Sequence, residues 1–178
     1  MSTTAARVLL VCGSPSDLDL CLDSKELLES LEIQAEIRVL SAHRTPDEAA
    51  DCARGAEAEG FELIVAYAGM SAALAGVVAA HSRLPVIGVP VSGGALGGID
   101  AALATLQMPP GTPVATVAID GARNAALLAG RILGIARPEI RERIRELAER
   151  DRERYQPERI EAEIQRRRKA RKPRPETG

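Results

Sequence analysis

The sequence predicts a doubly wound, three-layer α/β/α domain built on a parallel sheet and followed by a helical tail. Two observations carry this. Short β-rich apolar runs alternate five times with helical patterns up to about residue 134. The runs are also nearly continuous in Val, Ile, Leu and Ala, as strands buried on both faces must be. Right-handed crossovers then distribute the helices over both faces of the sheet.

The elements follow in order. "RVLLVCG" (7–13) is the first strand, and the helical pattern "DLDLCLDSKELLESL" comes after it. "AEIRVL" (35–40) leads to "PDEAADCARGAEAEG", and "ELIVAYAG" (62–69) leads to "SAALAGVVAAH". "PVIGVPV" (85–91) runs through a glycine-rich loop into "IDAALATLQ", and "PVATVAI" (113–119) precedes "ARNAALLAGRILG". A first domain is therefore expected over 1–137 and a charged helical extension over 138–178.

Composition narrows the class. At 178 residues and 46% hydrophobic, the chain can bury one real core, and with 2% aromatics that core must be aliphatic. No apolar run is long enough to span a bilayer, so no membrane partner is expected. "MSTTAARVLLVCGS" lacks the basic, apolar and small-residue zones of a signal peptide, which points to the cytoplasm. Cys12, Cys21 and Cys52 are odd in number and widely spaced, so reduced thiols are expected rather than disulfides or a metal site.

The net charge of −2 hides an asymmetry: residues from Pro138 onward hold 14 Arg and Lys against 10 Asp and Glu. Their signs are largely interleaved. "RPEIRERIRELAERDRERY" reads as a solvated helix with a narrow seam of Ile140, Ile144 and Leu147. Only "QRRRKARKPRP" is a basic block, and it is expected to be disordered. Nucleic acid is thus not the expected partner.

In doubly wound sheets, ligands bind at the carboxyl ends of the strands. The segments there are "GSPSD", "SAHRTP", "AGMSAA" and "PVSGGALGG", with "QMPPG" before the fifth strand. Gly13-Ser14-Pro15-Ser16-Asp17 offers close backbone approach, two hydroxyls and free amides at a helix start, which suit a phosphate. Taken alone, these letters are accounted for slightly better by helix capping from Ser16 or Asp17. Neither a six-residue glycine fingerprint nor a Walker pattern is present. In "SAHRTP", Thr45-Pro46-Asp47-Glu48 reads as a capping box with proline at the first helical position. Ser41, His43 and Arg44 remain. Arg44 can offer a fixed fork to a phosphate, and His43 alone in these loops has an unperturbed pKa suited to proton transfer near neutrality. "AYAGMSAALAG" offers amides and small side chains, either a floor under a flat ring or plain close packing. "VSGGALGGID" reads as a mobile lid or as a loop needing positive φ angles. His81 lies near a helix end and is taken as structural or exposed.

"GSPSD", "SAHRTPD", "LPVIGVPV", "QMPPGTPVATVAI" and "NAALLA" occur in an order and spacing that resemble the PurE family of purine biosynthesis, over roughly residues 7–135. The resemblance implies a flavodoxin-like domain assembled as a homo-octamer, with no metal and no organic cofactor. It implies an enzyme moving a carboxylate between the exocyclic nitrogen and ring carbon C4 of aminoimidazole ribonucleotide, by release and recapture of CO2. By position, Ser14, Ser16 and Asp17 would hold the ribose and 5′-phosphate, with Arg44 on the phosphate. Ser41 and Ala42 would set the ring and carboxylate, and His43 would be the general acid and base. Ala68 and Gly69, with Met70 beside them, would supply backbone to the ring and CO2 pocket. Ser92 and Leu96 would belong to the closing loop.

The chain also departs from the mutase pattern "AGGAAHLPG": Met70 replaces a glycine, Ala73 a histidine and Ala75 a proline. The relatives that carboxylate 5-aminoimidazole ribonucleotide (AIR) directly with CO2 also lack that histidine, but typically carry Lys where this chain has Arg44. "AGM-x-x-AL" further echoes the PurE-like domain of the nickel-pincer nucleotide carboxylase. A non-catalytic nucleotide-binding module on the same fold is the alternative from another class.

Overall fold

The computed structural model describes residues 5–170. Five strands form one wholly parallel sheet: β1 (Arg7–Cys12), β2 (Gln34–Val39), β3 (Leu63–Gly69), β4 (Val86–Val91) and β5 (Ala115–Thr116). Their spatial order is β2-β1-β3-β4-β5, the flavodoxin-like winding. The helices α1 (Leu18–Ser30), α2 (Pro46–Gly55), α3 (Ala73–His81), α4 (Ile99–Leu106) and α5 (Ala122–Leu133) cover its two faces. The predicted three-layer α/β/α sandwich is thus the observed fold.

Strand periodicity explains the two cores. Leu9, Val11, Ile64, Ala66 and Ala68 meet Ala49 and Ala53 of α2, Leu74 and Val78 of α3, and Ala101 of α4. The alternate residues Val8, Leu10, Cys12 and Tyr67 are equally buried toward α1 and α5, where Ser24 Oγ donates to the Ala122 carbonyl at 2.8 Å. Each buried Leu or Val contributes about 1.5–3 kcal/mol, and the alanines let the helices approach closely.

Several elements differ from their predicted extents. β5 covers two residues rather than 113–119, because Pro109, Pro110 and Pro113 crowd its approach and it lies at the sheet edge. Pairing with β4 nonetheless continues loosely: Val117 N–H donates to Gly88 O at 3.0 Å, and Asp120 N–H to Pro90 O at 2.9 Å. α2 stops at Gly55, not at residue 60, where Gly60 turns the chain with φ +86°.

The chain divides into two compact units, residues 1–141 and 142–178. Helix α6 (Pro138–Glu153) begins in the first unit with Ile140 buried, and just ahead of it Arg137 forks onto both oxygens of Glu62 at 2.8 Å. In the second unit Pro157 starts a further helix, α7 (Pro157–Ala170). Helix α7 reaches into the basic block as far as Ala170, with Glu163 bonded to Arg166 and Arg167. The rest of that block lies outside the described residues. Among the described residues, no helix is long and apolar enough to cross a membrane.

Candidate active site

Four strand ends converge on one cavity of about 430 Å³, at the switch point between β1 and β3. The segments after β1, β2, β3 and β4 all line it. Ser14, Ser16, Asp17, Ser41, Ala42, His43, Arg44, Ala68, Gly69, Met70 and Ser92 stand together there, as their places at the carboxyl edge led one to expect. Leu96 does not line the cavity; it is exposed farther along the same loop.

The first segment is bonded within itself. Ser14 Oγ caps a 3-10 turn (Pro15–Asp17), accepting from Ser16 N–H at 3.3 Å, while Asp17 takes the N-cap position of α1 without a side-chain cap bond. Ser16 Oγ stands 2.8 Å from both Ser14 Oγ and the carboxylate of the buried Asp17. Two hydroxyls and one carboxylate thus face the cavity in a fixed chain. Beneath them lie Cys12 and Cys21, both buried free thiols. Hydrogen bonding between the two lowers Cys12, while the same bond and burial raise Cys21.

The second segment corrects the capping-box expectation. Thr45 makes no side-chain cap to α2. Its hydroxyl turns backward instead, accepting from Ser41 N–H at 2.9 Å and donating to Ser41 O at 3.1 Å. Thr45 N–H, the atom Glu48 would have bound, donates to that same carbonyl at 2.9 Å. Ser41 Oγ in turn accepts from His43 N–H at 3.4 Å and Arg44 N–H at 3.2 Å. The backbone that carries His43 and Arg44 is therefore closed on itself from both ends. Both residues are exposed, and neither side chain has a hydrogen-bond or ion-pair partner among the described residues. Such groups are free to meet a ligand.

In the third segment, Met70 and Ala72 hold φ angles of +52° and +38°, which cost free energy in non-glycine residues and often mark functional turns. Gly69 permits the close approach of β3 to β4; a Cβ there would stand 3.3 Å from Val91 O. Ala72, Ala73 and Leu74 bring the uncapped start of α3 to the cavity wall. Ala73 offers no imidazole, so His43 is the sole histidine lining the cavity.

The fourth segment is rooted by a residue that sequence reasoning missed. Asp120, with φ +55°, accepts from Ser92 N–H at 2.8 Å. The available signal was an Asp-Gly pair directly after the fifth strand. His81 lies away from the cavity, with Nδ1 3.2 Å from Arg54. Among the described residues, no cluster of His, Cys, Asp and Glu could hold a metal ion.

Comparison with known proteins meets this geometry. The family model described as AIR carboxylase matches residues 7–154. The N5-carboxyaminoimidazole ribonucleotide mutase of Pyrococcus abyssi is 50% identical over 143 residues, covering 80% of this chain and 82% of that one. The enzyme of the same name from Mycobacterium tuberculosis is 53% identical over 138 residues, covering 78% and 79%. The crystal structure of Treponema denticola PurE superposes with a TM-score of 0.75 at 29% identity, covering 84% of this chain and 93% of that one.

Proposed function

Since the chain belongs to the AIR carboxylase (PurE) family and is thereby an enzyme of mutase or carboxylase type in purine biosynthesis, we propose that it interconverts N5-carboxyaminoimidazole ribonucleotide and 4-carboxy-5-aminoimidazole ribonucleotide. The observation that carries this reading is the pair His43 and Arg44, unpartnered side chains on a locked loop beside the Ser14–Asp17 cluster.

In this reading Arg44 and the Ser14 and Ser16 hydroxyls hold the 5′-phosphate, and the Asp17 carboxylate accepts from ribose hydroxyls. Ser41 and Ala42 set the ring and carboxylate from the loop that carries His43. The ring lies against the Ala68–Met70 backbone, under the loop from Ser92 through Leu96. The bond from the exocyclic nitrogen to the carboxylate breaks, releasing CO2, and His43 as acid returns a proton to that nitrogen. C4 then attacks the CO2, and His43 as base removes the C4 proton. The proton lost from C4 balances the one gained by nitrogen, so one imidazole serves both steps and nothing else is consumed.

A homo-octamer fits this reading. Its support is an apolar row of Leu96, Ile99, Leu103 and Leu106, each more than half exposed on or beside α4. Direct carboxylation of AIR by CO2 is the second reading, favoured by Ala73 in place of an imidazole.

Purified protein offered N5-carboxyaminoimidazole ribonucleotide, or AIR with bicarbonate, tests both. The proposal expects rapid C4-carboxylated product from the first and little from the second at equal concentration. Product from AIR and bicarbonate alone would transfer the chain to the second reading. No product from either would overturn both.

A further inference from the structure

We propose that Asp120 is a positioning residue, the latch that fixes the root of the Ser92–Gly98 loop over the cavity. The inference rests on the reaction proposed above for what the loop retains, but the latch itself rests on geometry.

Asp120 lies where the loose continuation of β5 ends, beside the end of β4. Its N–H donates to Pro90 O at 2.9 Å, and its carboxylate accepts from Ser92 N–H at 2.8 Å. One residue thus grips β4 two residues apart, on either side of Val91, at the point where the strand becomes loop. The grip requires φ +55°, a conformation open to Asp, Asn and Gly but costly for most side chains.

The other end of the loop is pinned at the same place. A Cβ on Gly98 would stand 3.0 Å from both Ser92 Cα and Ile119 Cγ2. Root and return therefore touch, and both rest on the Ile119–Asp120 corner. Between them the loop is loose: Ser92 through Gly97 are exposed, Gly94 and Gly97 have positive φ, and nothing lies within 4 Å of a Cβ built at Gly93 or Gly97. Ser92, Gly93 and Gly94 line the cavity wall. A flap with a rigid root and a pliable span can cover the ring while CO2 is free between its two bonds. Loosening the root lets that CO2 escape before C4 attacks.

Asp120→Gly keeps the backbone conformation and deletes the acceptor. Asp120→Asn keeps both, since its side-chain oxygen can still accept from Ser92 N–H. The full-length proteins are given N5-carboxyaminoimidazole ribonucleotide in buffer containing ¹³C-bicarbonate. Two quantities are read, the ¹³C content of the new C4-carboxylate and the ratio of AIR released to product formed. Hydrogen exchange at the Ser92 amide is followed separately.

Asp120→Gly is expected to raise both leakage measures about fivefold or more and to speed Ser92 exchange by at least tenfold. Asp120→Asn is expected to stay within about twofold of the parent in all three. The proposal is overturned if Asp120→Gly partitions carbon like the parent, or if Asp120→Asn leaks as much as Asp120→Gly. A lowered Tm with unchanged partition and exchange would likewise overturn it, leaving Asp120 a structural residue only. Should the parent itself form no C4-carboxylate, the reaction assignment fails, while Ser92 exchange still decides whether the latch exists.

Discussion

The cavity loops and the cluster around Phe61 both carry charged side chains, yet they use them in opposite ways. At the foot of the sheet, Arg7 and Arg38 stack on the Phe61 ring with guanidinium carbons 4.4 and 5.5 Å from its centroid. Arg7 bonds to Glu59 O and pairs with Glu36, and Arg38 pairs with Glu36 and Glu59. There the charged side chains satisfy one another, with one backbone carbonyl taking part. At the carboxyl edge the hydrogen bonds of "SAHRT" are spent on the backbone, and the His43 and Arg44 side chains are left over. Charge that is mutually satisfied supports a fold. Charge left open on a locked backbone is available for chemistry.

That contrast can be broken by mutation. The largest effect belongs to His43→Asn, expected to lower kcat by about 10²–10⁴-fold, the usual worth of a general acid–base group. Its Tm should match the parent's, since the imidazole supports nothing else; full activity would dissolve the contrast. Arg44→Lys keeps the charge but loses the planar fork, so kcat/KM should fall about ten- to a hundredfold, mainly through KM. Steady-state kinetics with the ribonucleotide read this directly.

Thr45→Val removes the hydroxyl that both accepts from and donates to Ser41. A loss of about 1–3 kcal/mol in stability is expected, with kcat/KM down by about tenfold because His43 and Arg44 lose their fixed backbone. Thr45→Ser should recover most of both. A Thr45→Val enzyme with normal kinetics would mean that the loop holds its shape without this bond.

The smallest effect lies at the other region. Glu59→Gln should leave kcat/KM unchanged and cost under about 1 kcal/mol, as expected of a half-exposed ion pair. The hydrogen bond from Arg38 holds the Glu59 carboxyl below its usual range. Its contribution is therefore fully present above the ordinary carboxylate pKa and lost as pH falls through the lowered folded value. Urea melts of parent and variant should converge on acidification; divergence would reverse the sign.

Much of this was legible in the sequence. β1, β3 and β4 are buried on both faces and write continuous apolar runs, while the partly exposed edge strands β2 and β5 were placed by their alternation with helical patterns. The site loops followed from the positions after these strands. What stayed hidden has particular causes. Thr45, Pro46 and Glu48 spell a capping box whether or not the hydroxyl turns toward the helix, and here Ser41 outcompeted it. Asp120 grips Ser92 across 28 residues of sequence, a contact that no local pattern records. The shortening of β5 came from prolines flanking a run that otherwise reads as strand. Leu96 shares its loop with Ser92, but which loop residues face the cavity depends on the positive φ angles of Gly94, Gly97 and Gly98.

The chain has two histidines: His43 open at the cavity, and His81 away from it beside Arg54. This makes the most direct measurement possible. Histidine side chains are isotope-labelled, and their NMR signals are followed while 4-carboxy-5-aminoimidazole ribonucleotide is added to saturation. The account predicts that one of the two imidazoles shifts on binding, and that its signal is the one missing from His43→Asn. Binding that moves only His81, or neither imidazole, would contradict it.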